Sequence, residues 1–224
     1  MKLEQYFDLS NEQVEKFHKY RNLLLEWNEK FNLTAITDKE EIDEKHFIDS
    51  LLPLKYVEVK RGRLLDIGSG AGFPGIPLAI VCPNVKVTLL ESNGKKVQFL
   101  NEVVNQLGLE NVSVINGRAE DLKEKESFNF VTARAVKQLN ILLELSVPFL
   151  KVRGELLAYK GPDAEEEIKA SKSALRKLNA QLKNIFAYQL PISKDNRKLL
   201  VISKQKATQK KYPRNYSEIV QQPL

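Results

Sequence analysis

The chain has 224 residues, 42% hydrophobic and 29% charged, with 35 Lys+Arg against 29 Asp+Glu, a formal net charge of +6 and a single Cys. That length supports one α/β core with a modest appendage and no disulfide or metal staple, and a lone thiol, Cys82, excludes an intrachain disulfide and points to a reducing compartment. The N-terminal MKLEQYFDLS lacks an apolar signal-peptide core, and the longest apolar run, residues 76–82, falls far short of the roughly 20 residues a spanning helix needs, so a cytoplasmic globular protein without a membrane partner is expected.

Val14, Phe17, Tyr20, Leu24, Trp27 and Phe31 recur at spacings of three and four, one face of an amphipathic helix. Ser10 with Gln13, and Thr37 with Glu40, have capping-box spacing and predict the starts of two helices, the second running from Asp38 to Tyr56. Trp27 and Phe31 read as helix-to-helix core. His46 and Asp49, one turn apart, read first as helix packing with a local hydrogen bond, ahead of a place at a ligand's mouth.

The rhythm then changes. Arg63–Ile67, Val85–Leu90, Asn111–Ile115, Phe128–Thr132 and Glu155–Lys160 are of strand length, separated or followed by helical stretches at Pro74–Val81, Lys95–Leu107, Val136–Leu150 and Asp163–Lys183. Gly108 is a natural helix terminator. Strands alternating with helices predict a parallel sheet covered on both faces. Two last strands, Ile185–Leu190 and Lys198–Ser203, are joined by a link whose shortness favours a hairpin over a parallel crossover, and so an antiparallel edge. The expected division is a helical extension over 1–60, a doubly wound domain over 61–205 and a basic tail over 206–224.

Charge is unevenly placed along these parts. Residues 1–60 carry 9 basic and 13 acidic side chains, whereas residues 151–224 carry 16 and 7, and five bases without an acid lie between Lys204 and Arg214. Clustered Lys and Arg attract phosphates and release counterions, which suits a polyanionic partner, although a solvated basic face has the same composition.

The strongest chemical signal is Asp66-Ile67-Gly68-Ser69-Gly70-Ala71-Gly72-Phe73-Pro74-Gly75, a strand end leading through glycines into a helix. Absent Cβ atoms let the backbone bend and let a ligand approach it closely. Glu91 closes the next strand, where a carboxylate can accept hydrogen bonds from two ribose hydroxyls. Gly70, Gly72 and Gly75 formally match a dinucleotide fingerprint, a weak signal alone. Asp66 before the glycines would repel a pyrophosphate and welcome a cationic amino-acid head, and no second domain is evident for a reducible substrate. The residues therefore favour S-adenosylmethionine over a nicotinamide dinucleotide. Gly117-Arg118-Ala119-Glu120 after the third strand can address an adenine edge, and Arg134, after the fourth, lies beside the transferable methyl in this topology. Each has a plain alternative: Glu120 as an exposed acid near a helix start, and Arg134 as a structural ion pair.

These residues also resemble the bacterial small-subunit ribosomal RNA methyltransferase G family, also called the glucose-inhibited division protein B family. The resemblance spans about Tyr20 to Tyr212 and rests on Trp27-Asn28, Phe31 to Ile36, His46 to Leu51, Asp66 to Leu78, Glu91-Ser92, Lys95-Lys96, Phe99-Leu100, Arg118 to Glu120, Ala133 to Ala135 and Tyr159 to Gly161. It implies a class I S-adenosylmethionine-dependent methyltransferase fold, Rossmann-like, with a mostly parallel seven-stranded sheet, one antiparallel edge strand and the N-terminal helical extension. It further implies methylation of guanine N7 in 16S ribosomal RNA, a monomer acting on that RNA or the small subunit, and no metal. Asp66, Gly68, Gly70, Gly72, Phe73, Glu91, Ala119, Glu120 and Arg134 are the expected cofactor contacts, with Arg134 the residue at the reacting group. Lys160, Lys204, Lys206, Lys210, Lys211 and Arg214 are the expected RNA contacts. The tail departs from the resemblance: after Tyr212-Pro213-Arg214 a basic segment with Gly is expected, yet residues 215–224 carry Glu218 and no Gly.

Guanine N7 has a free lone pair and no proton to lose, so it needs alignment and no general base. The sequence offers no convincing base. Cys82, just before Pro83 at the sheet end opposite the cofactor, reads as a small core residue and not a nucleophile.

Overall fold

The structure, a computed structural model, describes residues 3–135 and 137–224. Helix α1 (Asn11–Phe31) opens with the predicted capping box: Ser10 Oγ accepts from Gln13 N, and Gln13 Oε1 accepts from Ser10 N. It stops where Asn32 turns left-handed, at φ 48. Phe17, Tyr20 and Leu24 on its apolar face are completely buried, each worth roughly 1.5–3 kcal/mol of burial. Trp27 meets Phe31 and Phe99 at ring-centroid distances of 5.5 and 5.7 Å, in the core role expected of it.

The second helical stretch departs from expectation in two ways. Asp38, not Thr37, caps it, accepting from Glu40 N and Glu41 N; a carboxylate one residue closer both bonds those amides and complements the helix dipole. Nor is the helix uniform. Helix α2 (Lys39–Ile42) passes into a π-helical segment, Asp43–Ile48, then α3 (Asp49–Leu51) and a 3-10 turn, Leu52–Lys55. The widened π turn lets Asp43, Glu44 and His46 be buried beside Phe47 and Ile48, more residues than one stripe of an α-helix would direct inward.

Seven strands form one sheet in the order β3-β2-β1-β4-β5-β7-β6: β1 (Gly62–Ile67), β2 (Val85–Glu91), β3 (Val112–Asn116), β4 (Phe128–Arg134), β5 (Leu150–Lys160), β6 (Ala180–Gln189) and β7 (Asn196–Lys204). The first five pair in parallel. The predicted hairpin supplies the antiparallel end: β7 runs against both β5 and the outer strand β6. Leu64 through Ile67 are all buried, the continuous run of a strand covered on both faces.

Helix α1, α4 (Gly75–Val81) and α5 (Gly94–Gln106) cover one face; α6 (Leu139–Ser146), α7 (Glu165–Ala170) and α8 (Lys172–Lys177) cover the other. The helix expected over Asp163–Lys183 ends at Lys177. Asn179 turns left-handed at φ 56, and residues from Ala180 onward join β6, Ala180 opposite Lys204. Strand pairing outweighs the helical period there, and Leu178 and Leu182 reach the same core by the other route. The helix expected from Val136 begins at Leu139; Val136 itself lies outside the described residues.

Residues 3–60 do not have a core of their own. Phe17, Tyr20, Phe47 and Leu51 share a single cluster with Leu64, Phe73, Leu89 and Phe99. Residues 206–224 also fold in: Tyr212 and Ile219 are buried against α6, and a short helix, α9 (Tyr216–Gln221), follows Asn215 as its cap.

Candidate active site

The glycine-rich loop leaves the carboxyl end of β1, beside the point where the strand order reverses between β1 and β4, the usual ligand crevice of such sheets. Gly68, Gly70 and Gly72 have φ of 66°, 60° and 97°, conformations costly for residues with a Cβ. The glycines nonetheless serve different ends. A Cβ on Gly70 would meet nothing nearer than Gly68 O at 3.8 Å, so this bare backbone borders open space. One on Gly72 would lie 2.5 Å from both Ile76 Cδ1 and Tyr20 Oη. Gly72 is therefore required for packing as well as for the turn, whatever its backbone offers a ligand.

Two carboxylates brace the loop. Asp66 is completely buried; Oδ1 accepts from Thr132 Oγ1 at 2.8 Å and Oδ2 from Gly75 N at 3.3 Å. Burial pushes its pKa up to about 6 against the opposing pull of those hydrogen bonds and Arg134. Asp66 has no surface to offer an ammonium head, so its expected direct contact is corrected to an internal brace. Glu91 holds Gly70 N through Oε2 at 2.9 Å and Asn93 N through Oε1 at 2.8 Å. Each oxygen retains a lone pair for a hydroxyl donor.

Beyond the loop lies a cleft of ≈ 220 Å³ whose apolar walls are Ile67, Leu90 and Leu145, with Gly68, Ala119 and Glu120 at its polar edge. A second pocket, ≈ 540 Å³, opens at the ends of β4 and β5 and is rimmed by Lys45, Arg134, Lys137, Lys160 and Arg197. Arg134 is held from several sides: Nη1 donates to Lys45 O at 3.0 Å and Asp49 Oδ2 at 3.1 Å, and Nη2 lies 3.2 Å from His46 Nδ1. Its guanidinium also sits 5.0 Å from the centre of the Phe73 ring, on which His46 stacks at 4.4 Å. Phe73 thus links the glycine loop to the cationic pocket, largely buried between its neighbours.

His46 is neutral: burial, and then the Arg134 charge, depress its pKa to about 3. Because a guanidinium only donates, Nδ1 accepts from Arg134, and Nε2–H donates to Thr34 Oγ1 at 2.8 Å. Asp49 is occupied by Arg134, by Tyr188 Oη at 3.2 Å and by the nearby Arg197. His46 and Asp49 are therefore both packed and pocket-lining, more than the helix-packing role the sequence suggests.

The expected RNA contacts divide. Lys206, Lys210 and Lys211 are exposed. Lys160 lies on the pocket rim with Nζ donating to Glu167 at 2.7 Å and Lys137 O at 2.9 Å. Lys204 is completely buried, paired with Glu126 at 2.9 Å and bonded to Val147 O, so it cannot reach RNA and that expectation is corrected. Arg214 is likewise committed: its backbone N, Nε and Nη2 all donate to the buried Glu144, clamping the tail to α6.

The family model described as rRNA small subunit methyltransferase G matches residues 13–200 of this chain. The chain belongs to that family. It is 48% identical over 222 residues to the ribosomal RNA small subunit methyltransferase G of Clostridium botulinum (strain Eklund 17B / Type B), covering 97% of this chain and 93% of that one. The protein of the same name from Desulforamulus reducens is 46% identical over 226 residues, covering 99% and 94%. Among solved structures, M. jannaschii TYW2 in complex with AdoMet superposes with a TM-score of 0.57 at 20% identity, over 70% of this chain and 74% of that one. The fold is that of S-adenosylmethionine-dependent methyltransferases.

The G-family cleft residues fit such a cofactor. Gly70 leaves a cradle that a side chain would fill, Glu91 offers hydroxyl acceptors, and apolar walls with Ala119 and Glu120 at one edge suit a flat heterocycle. Sequence reasoning missed Lys45 and Lys137 as pocket residues, and Tyr216 as a wall of the first cleft. The basic residues carry no motif; the aromatic at 216, inside a segment that breaks the expected basic pattern, was the one available signal.

Proposed function

We propose that this protein transfers a methyl group from S-adenosylmethionine to N7 of a specific guanine in 16S ribosomal RNA, acting as a single chain in the cytoplasm. Gly68, Gly70, Glu91, Ala119 and Glu120 would hold the cofactor, which when bound supplies an electrophilic methyl for in-line displacement. The observation that carries the reading is the pocket around Arg134: five cations line it against the carboxylates Asp49 and Glu167, Phe73 joins it to the glycine loop, and Glu167 is held by Lys160 and Leu139 N. His46 accepts from Arg134 and is neutral, and the Asp49 carboxylate is held by Arg134 and Tyr188. An acceptor that must lose a proton would be poorly served there, whereas N7 needs only to be positioned. Arg134 is preorganised by fixed partners to face a base edge or a phosphate, and the rim cations favour an RNA strand entering beside it. Among the described residues no helix is long and apolar enough to cross a membrane.

Cys82 takes no part: burial raises its pKa to about 11, which keeps it a thiol. The test uses methyl-labelled S-adenosylmethionine with unmodified small subunits, naked RNA or no RNA, followed by nucleoside analysis. Label confined to 7-methylguanosine at one site is the expected result, unchanged in Cys82→Ser. Label in another nucleoside would overturn the N7 assignment, and label without RNA would move the substrate to a small molecule.

A further inference from the structure

The C-terminal tail is built onto the cofactor cleft. Glu144 in α6 has no exposed surface, yet it receives three hydrogen bonds from Arg214, while Lys125 Nζ donates to Tyr212 O at 2.6 Å. These contacts, with Ile219 completely buried, fix α9 in place. The result is that Tyr216 lines the same cleft as Gly68, Ala119 and Glu120. Its ring is within cation–π range of Arg118 at 5.7 Å and Lys137 at 5.8 Å, residues from the loops after β3 and β4. The ring therefore ties the tail to both loops that border the ligand crevice.

We propose that Tyr216 is a cofactor-positioning residue: its aromatic ring forms the outer wall against the adenine of S-adenosylmethionine, opposite the apolar side chains of Ile67, Leu90 and Leu145. The placement is chemically apt. Those aliphatic residues give a purine a dry face, Glu120 and the backbone at Ala119 give it a polar edge, and Tyr216 is the aromatic ring among the residues that line the cleft. An aromatic ring offers a base large contact area at little cost in rotamer entropy. Helix α9 thus acts on donor binding, while Lys206, Lys210 and Lys211 before it stay exposed. This inference rests on the methyltransferase reading.

The test is calorimetric binding of S-adenosylhomocysteine, which carries the same adenosine without the reactive methyl, to full-length protein and to Tyr216→Phe, Tyr216→Leu and Tyr216→Ala. Aromatic contacts with a base, removed by alanine substitution, are worth about tenfold in affinity. Tyr216→Ala should weaken binding about tenfold, Tyr216→Phe should restore it to within about twofold, and Tyr216→Leu should resemble alanine. In turnover, the KM for donor should rise in the alanine variant with kcat and the KM for RNA little changed. Rescue by leucine as well as phenylalanine would show that the side chain merely packs the tail, and would overturn the proposal. Equal affinity in all variants would overturn it too, as would a rise in the KM for RNA alone. No binding by the unaltered protein would instead refute the cofactor reading on which the proposal rests.

Discussion

Replacing Gly72 by alanine separates packing from ligand binding within one loop. The new Cβ would sit 2.5 Å from Ile76 Cδ1 and 2.5 Å from Tyr20 Oη, and Tyr20 also donates to Ala71 O at 2.5 Å. Overpacking of this kind costs about 1–3 kcal/mol, and a φ of 97° adds strain for a residue with a Cβ. Together with the disturbed Tyr20 hydrogen bond, a loss of about 3 kcal/mol is expected, or a fall in melting temperature of about 6–12 °C for a chain of this size. Gly70→Ala is the control. With nothing nearer than 3.8 Å its cost is the backbone term alone, about 1–2 kcal/mol, but the methyl enters the cradle and should weaken S-adenosylhomocysteine binding at least about tenfold. Calorimetric melting and titration of both variants provide the two readouts. A Gly72→Ala protein melting within about 2 °C of the parent, or a Gly70→Ala protein binding as tightly as the parent, would refute this division of labour.

His46 makes stability depend on pH in a predictable direction. Its folded pKa of about 3 lies below the ordinary 6.5, so as pH falls below 6.5 the unfolded chain gains a proton that the native state refuses. The stability difference between the parent and His46→Gln should shift against the parent by up to about 1.4 kcal/mol per pH unit between 6.5 and 4, read from urea melts. Asp66 has the opposite sign: with a folded pKa raised to about 6 it retains a proton that the unfolded chain has lost, so its contribution favours the native state as pH falls from 6 towards 3.8. The parent curve should consequently be flatter than that of Asp66→Asn. Glu144→Ala leaves Arg214 without its carboxylate and should cost about 3 kcal/mol, with proteolytic nicking appearing first in residues 206–224. Finally, Lys204→Met should leave the salt dependence of RNA binding unchanged, whereas Arg197→Gln should reduce both affinity and its salt slope; equal slopes in the two variants would contradict the burial of Lys204 as the deciding difference.

The sheet, its helices and the glycine loop were legible because they are local. Leu64–Ile67 is an unbroken apolar strand, Ser10 and Gln13 cap each other across three residues, and Asp66 and Glu91 stand at strand ends in the chain itself. What escaped depended on partners distant in sequence. Lys204 looks like any other base in its run until β7 carries it inside to Glu126, 78 residues earlier. Residues 180–183 lie inside the stretch that reads as helical, and only the ladder with β7 makes them strand. Asp66 was rightly placed at the loop, but its burial, and hence its internal role, required the packing of Thr132 and Gly75 around it. The place of His46 at a pocket ranked only second in the sequence for the same reason, since it follows from a π turn and from Arg134, 88 residues away.

The shared core of α1 with the sheet has a consequence during synthesis. Phe17, Tyr20 and Leu24 leave the ribosome first, but the surfaces that bury them come from Phe47, Phe73 and Phe99, and the bond from Tyr20 to Ala71 closes only after the glycine loop has emerged. A nascent chain that has reached only residue 60 therefore carries an amphipathic helix with Phe47 but none of its sheet-side partners to lie against, a segment suited to being shielded by a chaperone. Once residue 99 is out, that helix and the donor loop can be ordered together, in one event.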